Sequence, residues 1–213
     1  MFLHNAPSSV GPAPAPDRVG RRFVLWIDGV GGFLVCLDNE ITLGQPDPHR
    51  QADVAICGDL SPRHAIIRRD GEGYVIKSGK PVAVDNRRFL EGTNLHDGCE
   101  VDLGADVRFR FRQPHALSAS ACLEPISSHQ TQPTTDGVLL MAESLVLGPL
   151  SSSHVACSGW SEDVVLYQHA GELYCRSGAP LEIDGAGPTQ RGRVSLDSRV
   201  SSEDFAFSLE ELS

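Results

Sequence analysis

Short apolar runs recur along the chain, separated by clusters of Gly, Pro, Asp and Asn at intervals of about 8 to 12 residues. The runs are rich in β-branched and aromatic residues, whereas segments with the period of an amphipathic helix are nearly absent. The clearest runs in the first part of the chain predict strands at 22–27, 33–37, 40–43, 53–56, 65–69, 74–77, 82–84, 100–103 and 108–112. Many short strands joined by polar turns predict an all-β sandwich or barrel.

Three Asp-Gly pairs separate some of these runs. They are Asp28-Gly29, Asp70-Gly71 and Asp97-Gly98. Glycine accepts a positive φ, and the aspartate side chain can cap its own backbone, so each pair is typical of a tight turn. The sequence therefore predicts short connections between antiparallel strands.

The strand pattern is interrupted at 113–120 and 127–135 and resumes at 138–141, continuing to residue 209. The interruption predicts a boundary near Pro114. We therefore expect a Pro/Ala-rich disordered leader at 1–20, a first domain at 21–113 and a second at 114–213. The two domain ranges are called the first half and the second half below.

The two halves resemble each other, which indicates a duplicated structural unit. Residues 70–86 align with 170–185 when one residue is deleted, which places Ser78-Gly79 on Ser177-Gly178 and Asp85 on Asp184. Both pairs are 99 residues apart. The flanking matches are Leu43-Gly44 with Leu147-Gly148, and Phe109 and Phe111 with Phe205 and Phe207.

The composition is that of a globular protein, with 40% hydrophobic and 22% charged residues and no apolar stretch of about 20 residues that could span a membrane. The first 16 residues lack the charged start and apolar centre of a secretory signal. A net charge of −10 and a pI near 5.2 give no electrostatic attraction to nucleic acid or to an anionic membrane. We therefore expect a soluble protein that binds neither.

One segment departs from the acidic composition of the chain. Its cations are Arg63, Arg68, Arg69, Lys77, Lys80, Arg87 and Arg88. Such a segment can attract an acidic or phosphorylated ligand, and it can equally be the solvated face of a strand.

The six cysteines are scattered singly, without a Cys-x-x-Cys pair or the close spacing of a zinc site. They predict reduced, buried thiols and no bound metal. Because thiols stay reduced in the cytoplasm, a cytoplasmic location is the expected default.

Three segments of the first half resemble the forkhead-associated (FHA) domain family over roughly residues 22–113. Residues 41–44 (Ile-Thr-Leu-Gly) resemble the strand that ends at the family's Gly-Arg. Residues 60–65 (Leu-Ser-Pro-Arg-His-Ala) resemble its Ser-Arg-x-His-Ala segment, and residues 95–104 its closing Leu-x-Asp-Gly-Asp-x-Ile-x-Leu-Gly. The resemblance implies an eleven-strand β-sandwich with short loops that bind a phosphothreonine peptide at one end, and hence two tandem FHA-like domains.

The resemblance also implies roles for individual residues. Ser61 matches the family's phosphate-contacting serine, His64 matches the histidine that braces the loop, and Gly44 keeps its place. Gln45 stands where an arginine is expected, which removes a charged contact. Lys80-Pro81 replaces the family's Asn-Gly, so Lys80 adds a charge while Pro81 removes a backbone donor. Arg63 is the further candidate contact to the peptide.

The second half resembles the family in its scaffold alone. Gly148 is followed by Pro149, and Ser161-Glu162-Asp163-Val164 takes the place of the Ser-x-x-His segment. The histidine is thus missing and two carboxylates stand in the loop, where they would repel phosphate. We expect no phosphopeptide binding there.

The sequence shows no catalytic constellation and implies no cofactor. His96, His154 and His169 have neither a Gly-x-Ser-x-Gly elbow nor a His-x-x-x-His spacing beside them. The glycines at 29–32 precede a strand rather than a helix, so they do not form a phosphate-binding helix start. The expected function is protein–protein interaction through a phosphothreonine peptide; the alternative is a scaffold that works without phosphate.

Overall fold

The computed structural model describes residues 22–49, 51–89, 91–115 and 118–212, and the expected leader at 1–20 lies outside them. The described residues form 21 β-strands and no helix, so the prediction of an all-β fold is confirmed. No helix in these ranges is long and apolar enough to cross a membrane.

The strands of the first half are β1 Arg22–Ile27, β2 Gly31–Cys36, β3 Glu40–Gly44, β4 Val54–Ile56, β5 Ala65–Asp70, β6 Gly73–Lys77, β7 Val82–Val84, β8 Arg87–Phe89, β9 Thr93–Leu95, β10 Glu100–Leu103 and β11 Val107–Arg112. Those of the second half are β12 Ala121–Pro125, β13 Thr131–Gln132, β14 Gly137–Leu140, β15 Ser144–Gly148, β16 Val155–Ala156, β17 Val164–His169, β18 Glu172–Ile183, β19 Ala186–Val194, β20 Arg199–Ser201 and β21 Ala206–Glu211.

These strands form two sheets. A six-stranded sheet has the order β13-β4-β3-β5-β6-β9. A 15-stranded sheet has the order β16-β15-β17-β18-β20-β21-β1-β2-β14-β12-β11-β10-β7-β8, with β19 paired to β18. The long strand β18 pairs with β17 in its first part and with β20 near its end, with register shifts in between. The large sheet therefore supplies two layers around one core and one layer around the other.

Each sandwich encloses its own hydrophobic core. The first core includes Ile41, Leu43, Ile67, Ile76, Val101, Leu103 and Phe111, together with Ala121, Leu123, Val138 and Leu140 from the second half. The second core includes Leu147, Leu166, Cys175, Val200 and Phe207, together with Phe23, Leu25, Ile27 and Val35 from the first half. The predicted division at 113/114 stays a prediction about domains, but the two cores draw residues from both sides of it.

Strands β2 and β14 form a parallel pair in the middle of the large sheet, here called the central wall. Alternate residues of a strand point to opposite faces. Accordingly, Leu34 of β2 packs into the first core and Val35 into the second, while Leu139 and Leu140 of β14 divide in the same manner. The central wall is therefore buried on both faces and separates the two cores.

The strand pairings of the two halves correspond one by one. β5 pairs with β3 and β6 as β17 pairs with β15 and β18, and the short parallel pair β3–β4 has its counterpart in β15–β16. The turn after β7 also matches the turn after β18, the long strand of the second half. Asp85 accepts the Glu100 N–H at 3.0 Å, and Asp184 accepts the Arg199 N–H at 2.8 Å.

The registers correct two details of the sequence alignment. Ala65 corresponds to Val164 and Val101 to Val200, so the 99-residue separation holds without a deletion and Tyr74 matches Leu173 rather than Tyr174. Val101 pairs with Phe109 whereas Val200 pairs with Phe207. Phe109 therefore corresponds to Phe207, two residues beyond the alignment.

Several strands and turns match the predictions, and others were missed. The glycines of the three Asp-Gly pairs have φ values of 74°, 61° and 82°, as tight turns require. Strands β8, β9, β12 and β13 were not predicted. Strand β8 is charged, and β9 (Thr-Asn-Leu) contains only one apolar residue. Strand β12 follows the first interruption in the pattern, and β13 lies within the second.

All six cysteines are free, and five are buried. Burial raises the pKa of Cys36 to about 12 and that of Cys175 to about 11. The prediction of a buried thiol is wrong for Cys57, which is exposed because it lies in the loop that follows the short strand β4.

Candidate functional site

The loops predicted to bind a ligand lie beside one another at one end of the first sandwich. This first loop end comprises Gln45 after β3, residues 57–64 before β5 and residues 78–81 after β6. The Gln45 N–H donates to the Ser61 carbonyl at 3.1 Å. Gly44 lies directly against the Ser61-Pro62 backbone, and a Cβ at this position would overlap the Pro62 carbonyl oxygen. Gly44 is therefore required by the close approach of the two loops.

His64 holds the second loop from below. Its side chain is buried, and its Nδ1 accepts the Ser61 N–H at 3.3 Å, while its own N–H donates to the Leu43 carbonyl at 2.8 Å. Burial lowers the pKa of His64, and the nearby Pro81 carbonyl partly offsets this shift. Among the described residues Nε2 has no partner of good hydrogen-bond geometry. The neutral ring, with its proton on Nε2, fits these contacts.

Ser78 ties the third loop to the second. Its hydroxyl donates to the His64 carbonyl and accepts the Lys80 N–H at 2.9 Å. A serine hydroxyl that accepts from the backbone two residues later forms a compact turn. The turn fixes the position at which Lys80 leaves the loop end.

A small groove opens between these loops, with a volume of about 190 Å³. Its lining includes Arg63, His64, Lys77, Ser78 and Glu91. Two cations and one carboxylate therefore face the same space. We refer to it as the basic groove.

Five cations of the basic segment are not neutralised by ion pairs within the described part of the chain. Among the described residues, Arg63, Lys77, Lys80, Arg87 and Arg88 form no ion pair, although Arg108, Arg110 and Arg112 all do. All five of the former are exposed. Their charge is available to a ligand.

Arg69 is different from the rest of this basic segment. Its guanidinium donates to the Asn39 side chain at 2.7 Å, the Met141 carbonyl at 3.0 Å and the Tyr74 hydroxyl at 3.1 Å. These contacts join β5 to the central wall region. Arg69 is thus structural, and it is not part of the charged surface.

The predicted site residues are neighbours along the loops but do not all line one groove. Gln45 and Ser61 are joined by a backbone hydrogen bond, whereas Arg63 lines the basic groove and Lys80 follows it through the Ser78 turn. The roles of Gln45, Ser61, Arg63 and Lys80 toward a ligand stay predictions. Sequence reasoning did not single out Ser78 and Glu91; the repeated Ser-Gly pair at 78 and 177 was a signal for the former.

The corresponding second loop end comprises residues 157–163, 177–180 and 202–205. The turn is repeated, since the Ala179 N–H donates to the Ser177 hydroxyl at 3.2 Å. The side chains around it are acidic: the Glu162 carboxylate lies directly on Gly178, and that of Asp163 on Gly148. Carboxylates therefore fill the space next to both glycines.

A larger groove of about 620 Å³ lies at this second loop end. Its lining includes Pro180, Glu182, Glu203 and Asp204. The Ser161 N–H donates to Asp204 at 2.7 Å. Hydrogen bonds from the Ser161 hydroxyl and from this N–H lower the pKa of Asp204. A groove lined by carboxylates is unsuitable for phosphate.

A pair of stacked histidines lies between the halves. The rings of His115 and His154 are 5.9 Å apart and nearly parallel. His154 is buried and accepts the Val146 N–H on Nδ1 at 2.9 Å. Burial, reinforced by the proximity of His115, lowers the pKa of His154 to about 4. The His154 ring is therefore a neutral group near pH 7.

The chemistry available at the first loop end is that of an anion site. It offers hydroxyl, amide, ammonium and guanidinium donors in one region. The described residues contain no group of three or more His, Cys, Asp or Glu side chains that could hold a metal ion.

No protein-family model matches the chain, and no curated protein matches it. A solved structure titled "Rv0020c_FHA Structure" is similar at 22% sequence identity over 42% of this chain and 91% of that chain, with a TM-score of 0.29. A likeness with so low a TM-score carries no argument about fold or function.

Proposed function

We propose that this chain mediates protein–protein interaction, with the first loop end binding a phosphothreonine-containing segment of a partner protein. The observation that carries the proposal is that Arg63, Lys77 and Lys80 form no ion pair among the described residues. They lie on or next to loops that Gly44, His64 and Ser78 hold in place. Unpaired guanidinium and ammonium groups bind phosphate through charge-assisted hydrogen bonds. The resemblance of residues 41–44, 60–65 and 95–104 to FHA domains points to the same ligand.

The residues of the first loop end have different roles in this proposal. The Ser61 hydroxyl forms no hydrogen bond within the described chain and can donate to a phosphate oxygen. Arg63 and Lys80 supply charge, and the Gln45 amide supplies an uncharged donor. Gly44 and His64 position the loops without touching the ligand.

Two features weaken the phosphate contact. Gln45 lacks the charge of an arginine, and Glu91 lines the same groove as Arg63. A hydrogen bond to a charged group is worth about 1.5–3 kcal/mol, so the loss of one such contact reduces affinity by at least about tenfold. We therefore expect micromolar rather than nanomolar binding. The free thiols suit a cytoplasmic setting for this interaction.

The alternative function is a scaffold that binds its partner without phosphate. The acidic second loop end and the uncharged Gln45 favour it. In that case the basic groove would take an ordinary acidic segment, and Ser61 would not matter.

Fluorescence anisotropy with a library of phosphothreonine peptides and their unphosphorylated counterparts tests the proposal. Wild type, Ser61→Ala and Arg63→Ala are compared with Arg176→Ala, which removes an exposed arginine that forms no ion pair in the described chain. We expect phosphate-dependent binding that Ser61→Ala and Arg63→Ala weaken and Arg176→Ala leaves unchanged.

The alternative predicts a different pattern. Equal binding of phosphorylated and unphosphorylated peptides, with no effect of Ser61→Ala, would make the chain a phosphate-independent scaffold. Absence of binding up to about a millimolar, which corresponds to only ~4 kcal/mol, would refute a peptide site at this loop end.

A further inference from the structure

Each half begins with an antiparallel hairpin, β1–β2 in the first half and β12–β14 in the second. Each hairpin pairs with the last strand of the other half. Strand β11, which ends the first half, pairs with β12 of the second half. Strand β21, which ends the second half, pairs with β1 of the first half. Each half is therefore joined to the other at the strand that would otherwise be a free edge.

The two pairings have the same register. Leu25 lies opposite Leu209, and Leu123 lies opposite Phe111. Because Phe109 corresponds to Phe207, Phe111 corresponds to Leu209. Leu25 and Leu123, the residues opposite them, therefore occupy equivalent places. The arrangement is reciprocal, as in an exchange of identical elements between protomers.

The exchanged strands contribute to the core of the opposite half. Phe23 and Leu25 are fully buried in the second core, whereas Ala121 and Leu123 are buried in the first. Removing β12 would uncover the row of backbone N–H and C=O groups on β11 that it satisfies. Unpaired polar backbone and exposed apolar side chains would both destabilise the remaining half.

The central wall completes the exchange. Leu34 and Cys36 of β2 face the first core, and Leu139 and Met141 face the second. One face of each hairpin therefore packs into the core of the opposite half. The other face of its second strand, β2 or β14, packs into the core of its own half. The two halves cannot separate without opening both cores.

We propose that the two halves have exchanged their N-terminal hairpins, and that the acidic second half serves as the built-in partner that completes the core of the first. Neither half, cut at 113/114, is an autonomous module. The second half supplies β12 and β14 to the first sandwich, which carries the basic groove. This inference does not depend on the ligand of the first loop end.

Cleavage of the intact chain tests the exchange. A protease recognition site is inserted between His115 and Ser118 of the full-length protein, which is then cut under native conditions and examined by size-exclusion chromatography. We expect both fragments to elute together at the volume of the uncut 22.9 kDa protein and to separate in denaturant. Elution as two separate folded fragments in native buffer would overturn the proposal.

A second measurement on the uncut chain covers the case in which the insertion disturbs folding. The chain contains two tryptophans, and Trp26→Phe leaves Trp160, which is buried in the second core, as the sole reporter. In this background, Phe23→Ala should lower the urea midpoint of the Trp160 transition. The Trp26→Phe parent, changed on the exposed face of the same strand, is the matched control.

Separate tandem modules predict the opposite result. Phe23 would then belong to the first half alone, and the Trp160 midpoint would not move. An unchanged midpoint in Phe23→Ala therefore sinks the exchange, whatever the peptide-binding experiment gives.

Discussion

The first and second loop ends are built on the same turn but carry opposite charges. The Ser78 hydroxyl accepts the Lys80 N–H, and the Ser177 hydroxyl accepts that of Ala179. Arg63 lines the groove beside the first turn, whereas Glu162 lies on Gly178 at the second. The difference shows that the strand scaffold fixes the turn while a few side chains decide which ligands the loop end can accept.

The glycines of the two loop ends have the same structural role but different neighbours. Gly44 and Gly148 are both needed, yet the first lies against backbone carbonyls and the second against the Asp163 carboxylate. A close approach of two loops can therefore be kept while its chemistry changes. Variants in the shared scaffold should affect both halves, and variants in the loops only one.

The largest expected effect comes from the central wall. Leu34→Ala and Leu139→Ala each remove a fully buried leucine, the first from the first core and the second from the second core. Each should lower the free energy of unfolding by about 2–5 kcal/mol. Because the wall belongs to both sandwiches, urea unfolding should remain a single transition in both variants. Two transitions, with only one of them shifted, would break the comparison by making the halves independent.

The next effect is a loss of stability at low pH that originates in the second half. The pKa of His154 is about 4 in the folded protein, against 6.5 for an unperturbed histidine side chain. A lowered pKa means that the folded state binds the proton less tightly, so this stability is present above pH 6.5 and is lost as the pH falls toward 4. The loss should reach about 3 kcal/mol.

Urea titrations at pH 7 and at pH 4 to 5 measure this effect. His154→Asn keeps an acceptor near the Val146 N–H but cannot be protonated, so its stability should depend less on pH. His64→Asn, the matched change in the first half, tests whether that histidine contributes similarly. An unchanged pH dependence in His154→Asn would show that other groups are responsible.

A charge restored at the first loop end should strengthen phosphate binding. Gln45→Arg adds a charge-assisted contact, and we expect about tenfold tighter binding of phosphorylated peptides with no gain for unphosphorylated ones. Pro149→Arg makes the matched change after Gly148. Since Glu162 and Asp163 stand beside it, no binding should arise there. A gain in the second half alone would reverse the contrast between the loop ends.

The smallest effects are expected at the repeated turn. Asp85→Ala and Asp184→Ala each remove an acceptor of a backbone N–H, at a cost of about 1 kcal/mol. Asp184→Ala should cost more, because Asp184 also accepts the Ser198 hydroxyl at 2.9 Å. Thermal unfolding measures both, with the corresponding Asp→Asn variants as controls that keep an acceptor. Equal losses would indicate that the Ser198 contact adds nothing.

Much of the strand content could be predicted from local sequence patterns. The alternation at 100–103 and 108–112 and the Asp-Gly turns need no information from distant parts of the chain. The alignment errors have physical causes. The alignment matched Phe109 with Phe205, two residues from its structural counterpart Phe207. A shift of two residues leaves the inward and outward pattern of a strand unchanged, so the pattern could not exclude it.

Tyr74 and Tyr174 show the opposite failure. Matching them required a one-residue shift, which places side chains on opposite faces of a strand. Tyr74 is buried with its hydroxyl donating to the Ala119 carbonyl, while Tyr174 is stacked on Tyr167 and lies under Arg191. Identity of the residue type was misleading there.

The exchange of hairpins could not be predicted, because the two hairpins are alike and a strand pattern does not specify its partner. One signal was present. The runs at 33–37 and 138–141 contain no polar side chain, which is typical of strands buried on both faces. The loop end was only partly predictable for a related reason: Glu91 reaches the basic groove from a segment outside the recognised motifs.

The pairing of β1 with β21 has a mechanical consequence. Phe23 lies opposite Glu211, so the beginning of β1 and the end of β21 lie side by side. Tension applied between residues 22 and 212 would open this ladder one hydrogen bond at a time, as in unzipping, rather than shearing all of its bonds at once. The second sandwich would therefore yield first and at low force, while β11 and β12 still close the sandwich that carries the basic groove.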